Sequence, residues 1–176
     1  MVKFSHGKQN QSLKGEVMKA NIRLILLGEL ILVAAIFLFM LIVGGGGLSS
    51  VIWFIDLPSI IVILLFLIPG LMIMGAWKDF VKAFSVGIRP YRLLELKNII
   101  GAVGAAQKLT AFGALVAMIM AGVFIMGSLD DMSSLGPNLA VCFLTGFYAV
   151  LIEIFLLPLK LNAERKMNEE MDFEDE

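Results

Sequence analysis

The chain has 176 residues, 59 % of them apolar and 16 % charged, with a mean hydropathy of +0.92. That balance excludes an ordinary soluble domain and points to an integral membrane protein. The net charge of −1 hides a strong asymmetry in where the charges lie.

The first 21 residues form a basic leader, and Lys3, Lys8, Lys14, Lys19 and Arg23 precede the first apolar run. A short surface helix and a disordered leader both suit this segment. About 20 apolar residues are needed to cross a bilayer. Residues 24–43 meet that length, interrupted only by Gly28 and Glu29. The run is too long for a signal-peptide core and no small-x-small cleavage site follows it, so it is expected to stay. Gly44 to Gly47 end it by removing helix propensity where the chain leaves the bilayer. A phosphate loop would need a lysine and a hydroxyl at fixed spacing, and neither is there.

Leu57-Pro58-Ser59 opens a second span over 59–77, proline being tolerated in a first turn. The connection 78–108 combines a helical continuation, a break at Gly87 to Pro90, and a helix resuming from Tyr91 toward a third span over 109–126. A short acidic turn follows, from Ser128 to Asn138. Asp130 and Asp131 cannot sit in hydrocarbon, and Gly136-Pro137 is expected to interrupt any helix there. The fourth span covers 139–157, and residues 167–176 form an acidic, solvated tail. Backbone amides in lipid need internal partners, so four such runs mean four helices.

All 14 basic residues lie in the leader, in the connection 78–108, or after the fourth span at Lys160, Arg165 and Lys166. The two other connections have none. By the positive-inside rule both termini and the middle connection are cytoplasmic. Topology explains the basic belt without any nucleic acid.

Within the membrane, Gly113, Ala117 and Ala121 recur at intervals of four on the third span. Small residues at this spacing let helices approach closely, either within one subunit or between subunits. On the fourth span Thr145, Ala149 and Glu153 share one face, with Lys160 two turns beyond. A carboxylate in a span marks a wet or protein-facing surface. Glu153 stands five residues before Pro158, roughly 7–8 Å from the cytoplasmic end. It can serve ion handling, reach the interface, or pair with Lys160; Glu29, at a similar depth, has the same alternatives. Cys142, the sole cysteine, permits no intramolecular disulfide. His6, the sole histidine, lies in the leader, so no imidazole base stands near a nucleophile and no zinc cluster is expected. Catalysis and cofactors are not expected.

Several segments together resemble a known family. These are Leu109-Thr110-Ala111-Phe112-Gly113, the Ser128 to Asn138 turn, Ala140 to Thr145 and the closing Phe155-Leu156-Leu157-Pro158-Leu159. Asp56-Leu57-Pro58-Ser59 and Asp79-Phe80-Val81-Lys82-Ala83 agree as well. The chain resembles the MotA branch of the MotA/TolQ/ExbB proton-channel family, over about 23–166. The matched turn and helix ends are Asp130, Asp131, Gly136, Pro137, Pro158 and Pro58.

The resemblance implies an all-α integral membrane protein of the bacterial inner membrane. It would have four transmembrane helices, both termini inside, and long third and fourth helices extending into the cytoplasm. It implies a ring, usually of five subunits, around a single-span partner of the MotB/TolR/ExbD type that carries the ion-binding aspartate. The translocated ion is H+ or Na+, and the ion-pathway candidates are Thr145, Ala149, Glu153 and Thr110. Two departures stand out. Thr110 replaces the family's proline, and the connection 78–108 is far shorter than the torque-bearing domain of flagellar MotA. A non-conducting scaffold derived from the family is the competing expectation. A small-solute transporter is third, and no inverted repeat supports it.

Overall fold

A computed structural model of the chain describes residues 25–45, 51–52, 54–86, 88–127, 129 and 132–174. It is all-helical over these residues. Helix α1 spans Ile25–Val43. It is followed by α2 (Leu57–Ile73), α3 (Trp77–Ala83), α4 (Leu93–Gly127) and α5 (Met132–Glu174). Three helices, α1, α4 and α5, are long and apolar enough to cross a membrane, and α2 with α3 passes the same test only as a pair bent by 112°. The chain is a membrane protein by the length and apolarity of these helices. The basic leader and the acidic pair Asp130 and Asp131 lie outside the described residues.

Local chemistry explains where α2 begins and ends. Asp56 caps it by accepting from the Ser59 amide at 3.2 Å, and Pro58 occupies the first turn. The second span, expected to reach residue 77, stops at Ile73 instead. Gly75 there adopts φ +67°, Ala76 N–H reaches back to the Leu71 carbonyl at 2.9 Å, and Gly75 N–H reaches Met72 at 3.0 Å. This is a Schellman cap, in which glycine takes the left-handed position that other residues avoid. Trp77 therefore starts α3 and does not close α2.

One proline behaves differently from expectation. Gly136-Pro137 does not hold back α5, which already begins at Met132. Pro137 falls in the second turn, so its missing N–H removes a single bond near the helix start. Pro158 stays inside α5, in keeping with the long fourth helix expected, and α5 runs on through the acidic segment to Glu174. The α4 pair supports that continuity. At 1.5 Å per residue α4 is about 52 Å long and α5 about 64 Å, far more than the roughly 30 Å of hydrocarbon.

The excess length of both helices lies at the same end. There α3 folds under α2 and packs on the first half of α4 and the last third of α5. The result is a compact stub around Phe80, Leu96, Ile99, Val103, Leu159 and Ala163. Ser85 donates to the Lys82 carbonyl at 3.0 Å, and Asn162 of α5 donates to the Val86 carbonyl at 3.1 Å, closing the α3–α4 turn. Lys82 bridges Asp79 at 2.9 Å and Glu95 at 3.7 Å. The hydrogen bond to Asp79 raises the Lys82 pKa above its ordinary value.

Above the stub α2, α4 and α5 form a three-helix core. A Cβ added to Gly113 would lie 2.8 Å from Phe66 Cβ, and one on Gly70 would lie 2.8 Å from Leu109. Glycine at both positions is what lets α2 and α4 meet. The outer surface stays apolar, with Ile42 77 %, Ile73 86 % and Met126 74 % exposed. Lipid is the natural solvent for such a surface.

Candidate functional site

Two polar layers interrupt the apolar interior, and both involve α5. The first lies toward the α4–α5 turn. Ser59 on α2 and Thr145 on α5 are 3 % exposed each, and their hydroxyls meet at 2.7 Å. Thr145 Oγ1 also stands 2.9 Å from the Val141 carbonyl, one turn back, so its single proton is shared between that carbonyl and Ser59 Oγ. Ser59 Oγ donates to the Asp56 carboxylate. One turn along α5 from Thr145, the Tyr148 hydroxyl accepts from Asp56 N–H at 2.9 Å and donates to the Phe54 carbonyl. Phe54 is stacked edge-on between Phe37 of α1 and Phe147 of α5, with ring centroids 4.8 and 6.1 Å away. This layer staples the start of α2 to α5 and brings α1 against both.

One apolar layer separates it from the second. Ile63, Ala114 and Ala149 form that plug and are all buried. Of the expected stripe, Thr145 and Ala149 therefore face the chain's own α2 and α4. The packing residues divide in the same way: Gly113 is buried against Phe66, whereas Ala117 and Ala121 are only half covered within one chain.

The second layer lies toward the stub. Glu153 of α5 has Gln107 of α4 as its hydrogen-bond partner. Of the alternatives for Glu153, the pairing with Lys160 does not form; Lys160 instead lies 3.9 Å from Glu164, one turn further along. Gln107, Ala114 and Met118 of α4 each touch α5, Met118 through Gly146 and Cys142. Thr110 falls between them at helical spacing and is 0 % exposed. Leu26, Leu27 and Leu30 line a crevice with Phe155, Leu156 and Leu159, which sets the start of α1 beside the stretch of α5 that follows Glu153.

The layer is unusual in what it lacks. Among the described residues, three buried side-chain atoms have no hydrogen-bond partner: Glu29 Oε2, Thr110 Oγ1 and Glu153 Oε1. Such atoms in a low-dielectric interior cost free energy unless something pairs with them, and in native proteins they are rare.

The sequence singled out Thr145, Ala149, Glu153 and Thr110 but passed over Ser59, Tyr148 and Gln107. Tyr148 was detectable as a polar-tipped residue three positions from Thr145 on the same face. Gln107 carried the same signal relative to Thr110. Pro58 supports the α2 start and Pro158 is buried in α5. Gly136 and Pro137 sit exposed in the first turns of α5.

The chain matches no family model, no curated protein and no solved structure.

Proposed function

We propose that the chain is a MotA-like subunit of a proton- or sodium-driven membrane assembly. In this reading it spans the bacterial inner membrane four times, α2 being the short second span, with both termini and the stub in the cytoplasm. Several copies, five by resemblance, form a ring around a single-span MotB/TolR/ExbD-type partner that supplies the ion-binding aspartate.

The observation that carries the reading is the stub-side layer. The last two helices, α4 and α5, hold buried oxygens of Thr110 and Glu153 at membrane depth that the chain's own side chains leave unpaired. Ionisable groups within spans mark ion pathways by default. The segments that resemble the family fall on these same two helices, on the start of α2 and on α3.

The experiment is to purify the chain from native membranes and identify what comes with it. A single-span protein with an intramembrane aspartate, and ion flux when both are co-expressed in vesicles, is the expected result. Absence of such a partner together with absence of flux would sink the proposal.

One observation favours a second reading, the non-conducting scaffold. Thr145, which by resemblance belongs to the ion path, is already bonded inside the chain to Ser59 and Val141. A scaffold would co-purify in a ring yet conduct nothing, so the flux arm separates the two.

A further inference from the structure

The short helix α3 presents three different faces. Phe80 and Ala83 are buried in the stub. By helical spacing Trp77, Val81 and Phe84, its C-cap, share a second face. That face is uncovered, with Val81 51 % and Phe84 55 % exposed. Lys78 and Lys82 fall on the third side, next to Val81 by the same spacing. Lys82 is held by Asp79 and Glu95. Lys78 is exposed and makes no ion pair among the described residues. It is therefore the one cation of α3 left for an outside anion.

The surroundings of the apolar face identify what covers it. The 112° bend turns α3 across the axis of α2, so that with α2 standing in the bilayer α3 lies nearly along its surface. Phe84 lines the apolar crevice between α1 and α5, beside Leu30 and Leu156. Met72, Ile73 and Met74, at the end of α2, are exposed as well and lead directly into α3. The apolar face of α3 thus continues the surface that the spanning helices offer to lipid. Tryptophan is favoured at the membrane–water boundary, and a lysine at that height attracts anionic headgroups. A bilayer supplies both halves at once, acyl chains for Trp77, Val81 and Phe84 and negative charge for Lys78.

We infer that α3 is an interfacial anchor that selects an anionic phospholipid, with an acyl chain against Trp77, Val81 and Phe84 and the net negative headgroup on Lys78. This goes beyond the ring proposal and needs neither ring nor partner. It rests only on α2 lying in the membrane.

The test uses the purified full chain carrying Trp53→Phe, which leaves Trp77 as the only tryptophan. It is reconstituted in phosphatidylcholine vesicles in which a fixed fraction of the lipid has brominated acyl chains. That fraction is either phosphatidylglycerol or phosphatidylcholine, and bromine quenches indole fluorescence only on contact. The signal of the unmodified chain minus that of Trp77→Phe gives the same quantity without relying on the fold of Trp53→Phe. Trp77 is expected to be quenched by brominated lipid and little by acrylamide added to the water. Its relative affinity for the anionic lipid is expected to be about fivefold above that for the zwitterionic one, the worth of one lysine near a charged surface. Lys78→Gln is expected to remove that preference and Lys78→Arg to keep it.

Quenching by acrylamide alone would place α3 in water and overturn the inference. Quenching by neither agent would mean that a second copy or another protein covers the face, and would overturn it equally. Equal quenching by the two brominated lipids in the wild type, or an unchanged preference in Lys78→Gln, would refute the selection of anionic lipid.

Discussion

The two polar layers stand two turns apart on α5, about 12 Å by helical rise, and their hydrogen bonding is opposite in kind. Toward the α4–α5 turn, Ser59, Thr145 and Tyr148 all have partners. Toward the stub, Glu29, Thr110 and Glu153 each leave an atom unmatched. In lipid a paired hydroxyl adds on average about 0.6 kcal/mol, whereas an unmatched polar group costs several. Polar residues of the two layers thus divide by satisfaction into those that hold helices together and those left without a partner in the chain. Residue type alone does not make that division.

The comparison breaks most severely if the three-helix core is forced apart. Gly113→Leu places a side chain where Phe66 already stands 2.8 Å away. Both layers should be lost together, at a cost of roughly 1–3 kcal/mol or more, seen as a lowered thermal midpoint and aggregation in detergent. Next comes Tyr148→Phe, which strips the hydroxyl from the Phe54 carbonyl and the Asp56 amide. Leaving those backbone groups unmatched is expected to cost about 1–3 kcal/mol. Thr145→Val should cost less, about 0.6–1.7 kcal/mol, because Ser59 keeps its bond to Asp56.

The stub-side layer answers differently. Glu153→Gln keeps shape and the capacity to bond Gln107 while removing the ionisable carboxyl group. Its thermal midpoint should equal or exceed that of the wild type; a fall as large as that of Thr145→Val would erase the distinction between the layers.

The smallest effect lies in the stub. The pKa of Lys82 is raised from its ordinary value near 10.5 by its bond to Asp79. Its contribution is therefore complete below that ordinary value and is lost as pH climbs through the raised one. An alkaline titration of helicity should show a late loss in wild type that is absent from Lys82→Met.

Much of this architecture is written in local sequence. Apolar run length locates α1, α4 and α5, and the break before Tyr91 anticipates the start of α4 at Leu93. Three features were hidden for physical reasons. The end of α2 depends on Gly75 taking a left-handed conformation, which an apolar run to Trp77 does not reveal. Pro137 looks like a stop because helix propensity is local. Inside α5 the loss of its one bond is outweighed by packing along α4. Thr145 and Ser59 are 86 positions apart, so which polar residues would be satisfied could not be seen from either helix alone. The stripe Thr145, Ala149 and Glu153 was visible; its division into a matched and an unmatched end required the neighbouring helices.

The central claim is that the matched layer holds the fold and the unmatched layer handles the ion. Its most direct test is ion flux per assembled complex in vesicles containing the chain and its co-purified partner. Wild type, Thr145→Val and Glu153→Gln should be compared under the same imposed gradient. The account predicts that Glu153→Gln assembles fully and loses flux, while Thr145→Val assembles less but conducts normally per complex formed. Undiminished flux through fully assembled Glu153→Gln would contradict it.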